Sequence, residues 1–159
     1  MKVTIISVGK IKEKFYRDAI LEYEKRLSRY CKFQIIEVAD EKTPDKASEA
    51  EENQIKEKEA ERILSYVKEG DYLITLEIEG KQLDSVSFAD FIHQKTLYGV
   101  SHIQFVIGGS LGLHEKVSKL SNFKLSFSKM TFPHQLMRVI LSEQIYRAFR
   151  IIAGEPYHK

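Results

Sequence analysis

Apolar positions along this chain alternate between two periods, and the alternation predicts its elements. Val3-Thr4-Ile5-Ile6-Ser7-Val8 is a short β-branched run bounded by Gly9-Lys10, the pattern of a buried strand. From Lys12 to Tyr30 the spacing changes. Tyr16, Ile20, Tyr23, Leu27 and Tyr30 recur every three or four residues, which places them on one helix stripe. Lys14, Arg17, Lys25, Arg29 and Lys32 lie off that stripe, on a solvated or phosphate-facing side. Phe33 to Val38 reads as a second strand. Asp40 to Lys46 reads as a mobile loop within a charge run, Asp40 to Arg62, broken only by Pro44. That run is rich in helix formers, with Glu52 and Lys56 at i,i+4. Ala60, Ile63, Leu64 and Val67 supply a docking stripe only in its second half.

The second half of the chain repeats the alternation. Gly70-Asp71 is a turn before the strand Tyr72 to Leu76, and Gly80-Lys81 is expected to turn the segment Glu77 to Asp84. A helix opens at Ser85-Val86-Ser87, with Ser87 and Asp90 as a weak capping box. Phe88, Phe91, Ile92 and Leu97 form its apolar side, and Tyr98-Gly99 ends it. His102 to Ile107 is a strand, His114 to Leu120 a short helix and Asn122 to Ser126 a last strand. A long helix runs from Pro133 to Ala153, because proline is tolerated in a first turn. Met137, Leu141, Ile145, Ala148 and Ile152 form its core stripe, and Arg138, Glu143, Arg147 and Arg150 fall off it. Gly154-Glu155-Pro156 stops it, leaving Tyr157-His158-Lys159 as a free tail.

Strands alternating with helices predict an α/β domain with a mainly parallel sheet of about five strands, covered on both faces. Ligands of such sheets bind at the carboxyl ends of the strands. Three loops fall there: after Leu76, at Gly108 to Gly112, and at Phe127 to Phe132.

Composition narrows the class without deciding it. The chain has 159 residues, enough for one domain spanning 1–159, with 43% hydrophobic and 30% charged residues. A net charge of +2 does not by itself call for a nucleic-acid partner. From Lys129 onward, however, five Lys/Arg stand against two Glu, a local excess suited to an RNA backbone. The apolar run after Met1-Lys2 is too short for a signal sequence, and no run approaches the roughly 20 residues that span a bilayer. With the single cysteine, Cys31, these features point to the cytoplasm.

Gly108-Gly109-Ser110-Leu111-Gly112 matches the Gly-x-Ser-x-Gly of a hydrolase elbow. No aspartate follows Asp90, so Glu143 and His158 would have to complete a triad. The loop lacks the Gly-Lys-Ser/Thr of a P-loop and the spacing of a dinucleotide fingerprint. It remains a tight turn or a place where a ligand approaches the backbone closely. The five histidines show no zinc-ligand spacing, so no metal is expected. Glu143 and Arg147 stand at i,i+4, either as a helix-surface pair or as part of a site. Tyr157-His158-Lys159 is either a frayed end or a segment that stacks on a base and meets phosphate.

Four stretches together carry a family likeness: Phe105 to Gly112, Leu125 to His134, Leu141 to Ala148, and Pro156-Tyr157-His158-Lys159. They resemble the ribosomal RNA large-subunit methyltransferase H family, of the SPOUT class of S-adenosylmethionine-dependent RNA methyltransferases. The likeness extends over the whole chain, including Val8-Gly9-Lys10. It implies an α/β knot with a C-terminal trefoil and a homodimer acting on assembled ribosomes. The implied reaction methylates N3 of a pseudouridine in the 23S rRNA stem-loop facing the decoding region. Carried over by position, the resemblance implies that Leu76, Gly108, Phe127, Ser128, Lys129, Met130, Thr131 and Phe132 hold S-adenosyl-L-methionine. For that reaction, the expected chemistry falls to Glu143 or His158 as the general base, Arg147 opposite charge on the ring's carbonyl oxygens, and Tyr157 stacked on the nucleobase. Non-catalytic RNA binding and serine hydrolysis at Ser110 are the alternatives.

Overall fold

The computed structural model describes residues 1–159. Five strands, β1 (Lys2–Val8), β2 (Lys32–Val38), β3 (Tyr72–Gln82), β4 (His102–Ile107) and β5 (Phe123–Ser126), form one sheet. Its order is β2-β1-β4-β3-β5, and every pairing is parallel. The helices between them are α1 (Lys14–Leu27), α2 (Glu49–Leu64), α3 (Ser85–Leu97), α4 (Glu115–Leu120) and α5 (His134–Ile152).

A parallel sheet needs cover on both faces, and the side-chain alternation of each strand divides the core accordingly. Val3, Ile5, Ile74, Ile103 and Phe105 pack with Leu27 of α1, Phe88 and Ile92 of α3, and Leu141, Ile145 and Ala148 of α5. Ile6, Val8, Leu73 and Val106 face the other way, against Ala60 and Ile63 of α2 and Val117 of α4. The expected second-half docking of α2 is therefore present. Its N-terminus is fixed by Ser48, whose hydroxyl accepts from Glu51 N–H while Glu51 reaches back to Ser48, a capping box worth about 1 kcal/mol.

Several local expectations need correction. The N-cap of α3 is Asp84, whose carboxylate accepts from Ser87 N–H at 2.7 Å, so the Ser87–Asp90 box does not form. Leu97 is exposed and leaves the core side of α3 to Phe88, Ala89 and Ile92. Gly80-Lys81 is not a turn between elements, because β3 runs through it to Gln82. Leu76 and Lys81 both stand opposite Leu125, so the intervening residues bulge out of the ladder. Gly80 permits this by close approach: a Cβ there would lie 2.7 Å from the backbone carbonyl of Lys124.

The largest correction concerns Arg138, predicted off the apolar stripe of α5 but wholly buried. Its guanidinium donates to Gly9 O at 2.6 Å, to Val8 O at 3.2 Å and to Glu37 Oε2 at 2.6 Å. It thus ties α5 to the ends of β1 and β2. Burial lowers its pKa, and the Glu37 hydrogen bond and charge oppose that. Helical periodicity reads a charged residue as outward-facing, and it cannot register carbonyls from strands more than a hundred residues away.

Candidate active site

The three loops at the carboxyl ends of the strands converge on one cleft of about 670 Å³. β3 contributes Leu76 and the start of the bulge, Glu77 and Ile78. The end of β4 contributes Ile107 and the loop Gly108 to Leu113, and the segment after β5 contributes Phe127, Ser128 and Met130 to Pro133. His134 and Met137, on the first turns of α5, close one side. Of the residues expected to hold the cofactor, Leu76, Gly108, Phe127, Ser128, Met130, Thr131 and Phe132 line this cleft. Lys129 does not; it is exposed beside it.

The loop after β4 folds on itself. Gly112 N–H donates to Gly109 O at 3.0 Å, and a Cβ on Gly108 would lie 2.9 Å from Gly112 C. Only glycine at position 108 leaves this turn closed with its backbone facing the cleft. After β5, Ser126 Oγ donates to Ser128 O at 3.1 Å, and Met130 N–H donates to Ser128 Oγ at 3.0 Å. These bonds fix the wall that carries Phe127. His134 lines the cleft beneath it, and its ring Nε2 lies near Gly9. Burial and the nearby Arg138 lower its pKa, while Asp40 pulls weakly the other way.

Glu143, Arg147, Tyr157 and His158 come together elsewhere on α5. Arg147 donates to Glu143 Oε1 through Nε at 2.9 Å and Nη2 at 2.5 Å. Its Nη1 lies 3.2 Å from His158 Nδ1. Because arginine only donates, that nitrogen is the acceptor and the neutral ring carries its proton on Nε2. Tyr157 donates to Glu143 Oε1 at 3.3 Å, and its ring lies 4.7 Å from the Arg147 guanidinium carbon. Burial and the Glu143 charge raise the Tyr157 pKa. The tail is therefore not free. It folds back over α5, held by Arg150 donating to Pro156 O at 3.0 Å and by Glu155 accepting from Arg150 and Tyr30.

Within one chain this cluster does not border the cleft. Glu143 stands six positions beyond Met137, about 9 Å farther along the helix axis at 1.5 Å per residue. The Gly-x-Ser-x-Gly match gains no triad either, because Glu143 and His158 are both engaged with Arg147. Sequence reasoning missed Glu77, His134 and Met137 as cleft residues. Their only signal was adjacency to Leu76 and Pro133.

The sequence that folds into this sheet and cleft matches, over residues 1–158, a protein-family model described as "Predicted SPOUT methyltransferase". A Clostridium botulinum protein named "Ribosomal RNA large subunit methyltransferase H" is 64% identical over all of both chains. A Bifidobacterium adolescentis protein of the same name is 62% identical, again over all of both. A solved structure, "The structure of a probable methylase family protein from Haemophilus influenzae Rd KW20", aligns with a TM-score of 0.51 and 12% identity. It covers 99% of this chain and 70% of that one, a likeness of fold alone. This chain is a SPOUT methyltransferase, and within that class it belongs to the ribosomal RNA large subunit methyltransferase H family. No helix is long and apolar enough to cross a membrane.

Proposed function

We propose that this protein, as one SPOUT domain over residues 1–159, methylates N3 of a pseudouridine in 23S rRNA. The target is the stem-loop facing the decoding region of the assembled, cytoplasmic ribosome. The observation that carries this reading is the cleft: three loops supplied by separate strands meet at the sheet's carboxyl edge. Its volume falls within the range of about 300–1,000 Å³ usual for small-molecule sites. Leu76 and Phe127 offer apolar surface to an adenine, and the glycine loop offers backbone groups to the polar parts of S-adenosyl-L-methionine. When bound there, that cofactor supplies an electrophilic methyl group. The family relation supports a trefoil knot formed by the C-terminal third of the chain.

The four-residue cluster serves the substrate. The N3 of a pseudouridine carries a proton that must leave as the ring is held about 3–3.5 Å from the methyl. Glu143 Oε2 accepts only from Gln144, at 3.0 Å, and is the freer acceptor for that proton. Arg147 and the Nε2–H of His158 donate toward charge developing on the ring's carbonyl oxygens. Tyr157, edge-on to Tyr146 at 5.0 Å, offers its ring to the base. Because the cluster lies away from its own chain's cleft, it acts across a homodimer, one subunit's tail completing the other's site. Deleting Tyr157 to Lys159 abolishes methyl transfer while leaving the circular dichroism spectrum and cofactor affinity of the dimer in place. The check is mass spectrometry of 23S rRNA from cells lacking the protein, complemented with full-length or truncated chain. An unmodified fragment restored equally by both would refute the tail's role. A methylation pattern unchanged by loss of the protein would refute the function.

A further inference from the structure

Glu77 lines the cleft, and its carboxylate has no counterion within the fold. It is the only Asp, Glu, Lys or Arg among the lining residues. Its oxygens accept from hydroxyls: Thr75 Oγ1 donates to Oε2 at 2.6 Å, and Ser118 Oγ lies 2.9 Å from Oε1 and 3.1 Å from Oε2. It joins none of the protein's ion pairs. Glu143 and Glu155, also partly buried, are matched by Arg147 and Arg150; Glu24 and the buried Glu59 join no ion pair either, but neither lines the cleft. A carboxylate offers about four acceptor positions, so these contacts leave room for a ligand.

Its position follows from the irregularity in β3. The ladder to β5 breaks after Leu76, and Glu77 is the first residue of the bulge. Thr75 is wholly buried and anchors one oxygen from within the sheet, and Ser118 anchors the other from α4. The anion is thus fixed beside a largely apolar wall, where screening by water is reduced and a cationic ligand group gains more than it would in solvent.

We infer that Glu77 recognises positive charge on the bound cofactor, either its sulfonium or its α-ammonium, and ranks it above uncharged adenosine thioethers. The inference rests on the cofactor reading given above. Titration calorimetry on the full-length protein and on Glu77→Gln tests it with three ligands: S-adenosyl-L-methionine, S-adenosylhomocysteine and 5′-methylthioadenosine. S-adenosylhomocysteine keeps the ammonium without the sulfonium, and 5′-methylthioadenosine has neither. The substitution weakens S-adenosyl-L-methionine about tenfold or more, the loss typical of a charged hydrogen bond, and leaves 5′-methylthioadenosine unchanged. A parallel loss for S-adenosylhomocysteine places the contact at the ammonium, and an unchanged affinity places it at the sulfonium. Unchanged affinity for S-adenosyl-L-methionine, or an equal loss for all three ligands, overturns the role. If Glu77→Gln does not fold, Glu77→Asp, which draws the charge back by one methylene, must still narrow the ratio between S-adenosyl-L-methionine and 5′-methylthioadenosine; an unchanged ratio overturns the role equally. Wild-type protein that binds none of the three refutes the cofactor reading itself, and Glu77's role with it.

Discussion

Replacing Arg138 by methionine tests whether the buried guanidinium is what joins the last helix to the sheet. Methionine nearly preserves the volume and the unbranched shape, so the cavity term is small. Three interactions vanish: the ion pair to Glu37 and the hydrogen bonds to Val8 O and Gly9 O. Each unpaired carbonyl costs about 1–3 kcal/mol when water cannot replace the donor. Glu37 is 39% exposed at its side chain and rehydrates, so its loss adds little. Against this stands the relief of burying a charge whose Nε has no partner. The net expectation is a loss of about 2–4 kcal/mol. Urea denaturation of both proteins at the same concentration measures it, so that any concentration dependence is common to the two. Arg138→Lys recovers only part of the loss, because an ammonium lacks the planar fork that spans two carbonyls and a carboxylate. A loss below about 0.5 kcal/mol, or a stabilisation as seen when some buried ion pairs are replaced by apolar groups, would refute the reasoning.

Two further predictions concern the cleft and its border. Gly108→Ala pushes a methyl to 2.9 Å from Gly112 C, which opens the turn; cofactor affinity measured by calorimetry falls by about tenfold or more, and urea denaturation shows a loss of about 1–3 kcal/mol from overpacking against backbone. Glu59 is buried, and desolvation raises its pKa despite the hydrogen bond from Glu41 N–H. The folded protein therefore holds this proton to higher pH than the unfolded chain does. Its contribution to stability is fully present below the ordinary carboxyl range and is lost as pH rises through the raised value. Glu59→Gln removes that loss, so the variant gains stability relative to wild type as pH rises above the ordinary carboxyl range; parallel denaturation profiles would count against it.

The local sequence determined the elements, because their causes are local. The β-branched run Val3 to Val8 and the periodic stripes on α1 and α5 specify strand or helix from neighbouring residues, whereas the glycine stop at Gly80 is overruled by the approach of β5. The α/β alternation then fixes a covered parallel sheet and its ligand edge, so the three cleft loops were legible before any fold was known. The motif combination carried the family, and the cleft-lining residues from Leu76 to Phe132 with it.

Only the tertiary structure decided what depends on distant partners. Arg138 looked like a surface charge until Val8, Gly9 and Glu37 were brought around it. Tyr157 and His158 read as a free tail until α5 presented Glu143 and Arg147 to them. Glu77 looked like one more polar residue beside a turn until the β3 bulge set it in the cleft without a counterion. Periodicity reports which way a side chain faces along its own element. Whether a charge is buried, matched or left open is set by groups far away in sequence, and those meet only when the chain is folded.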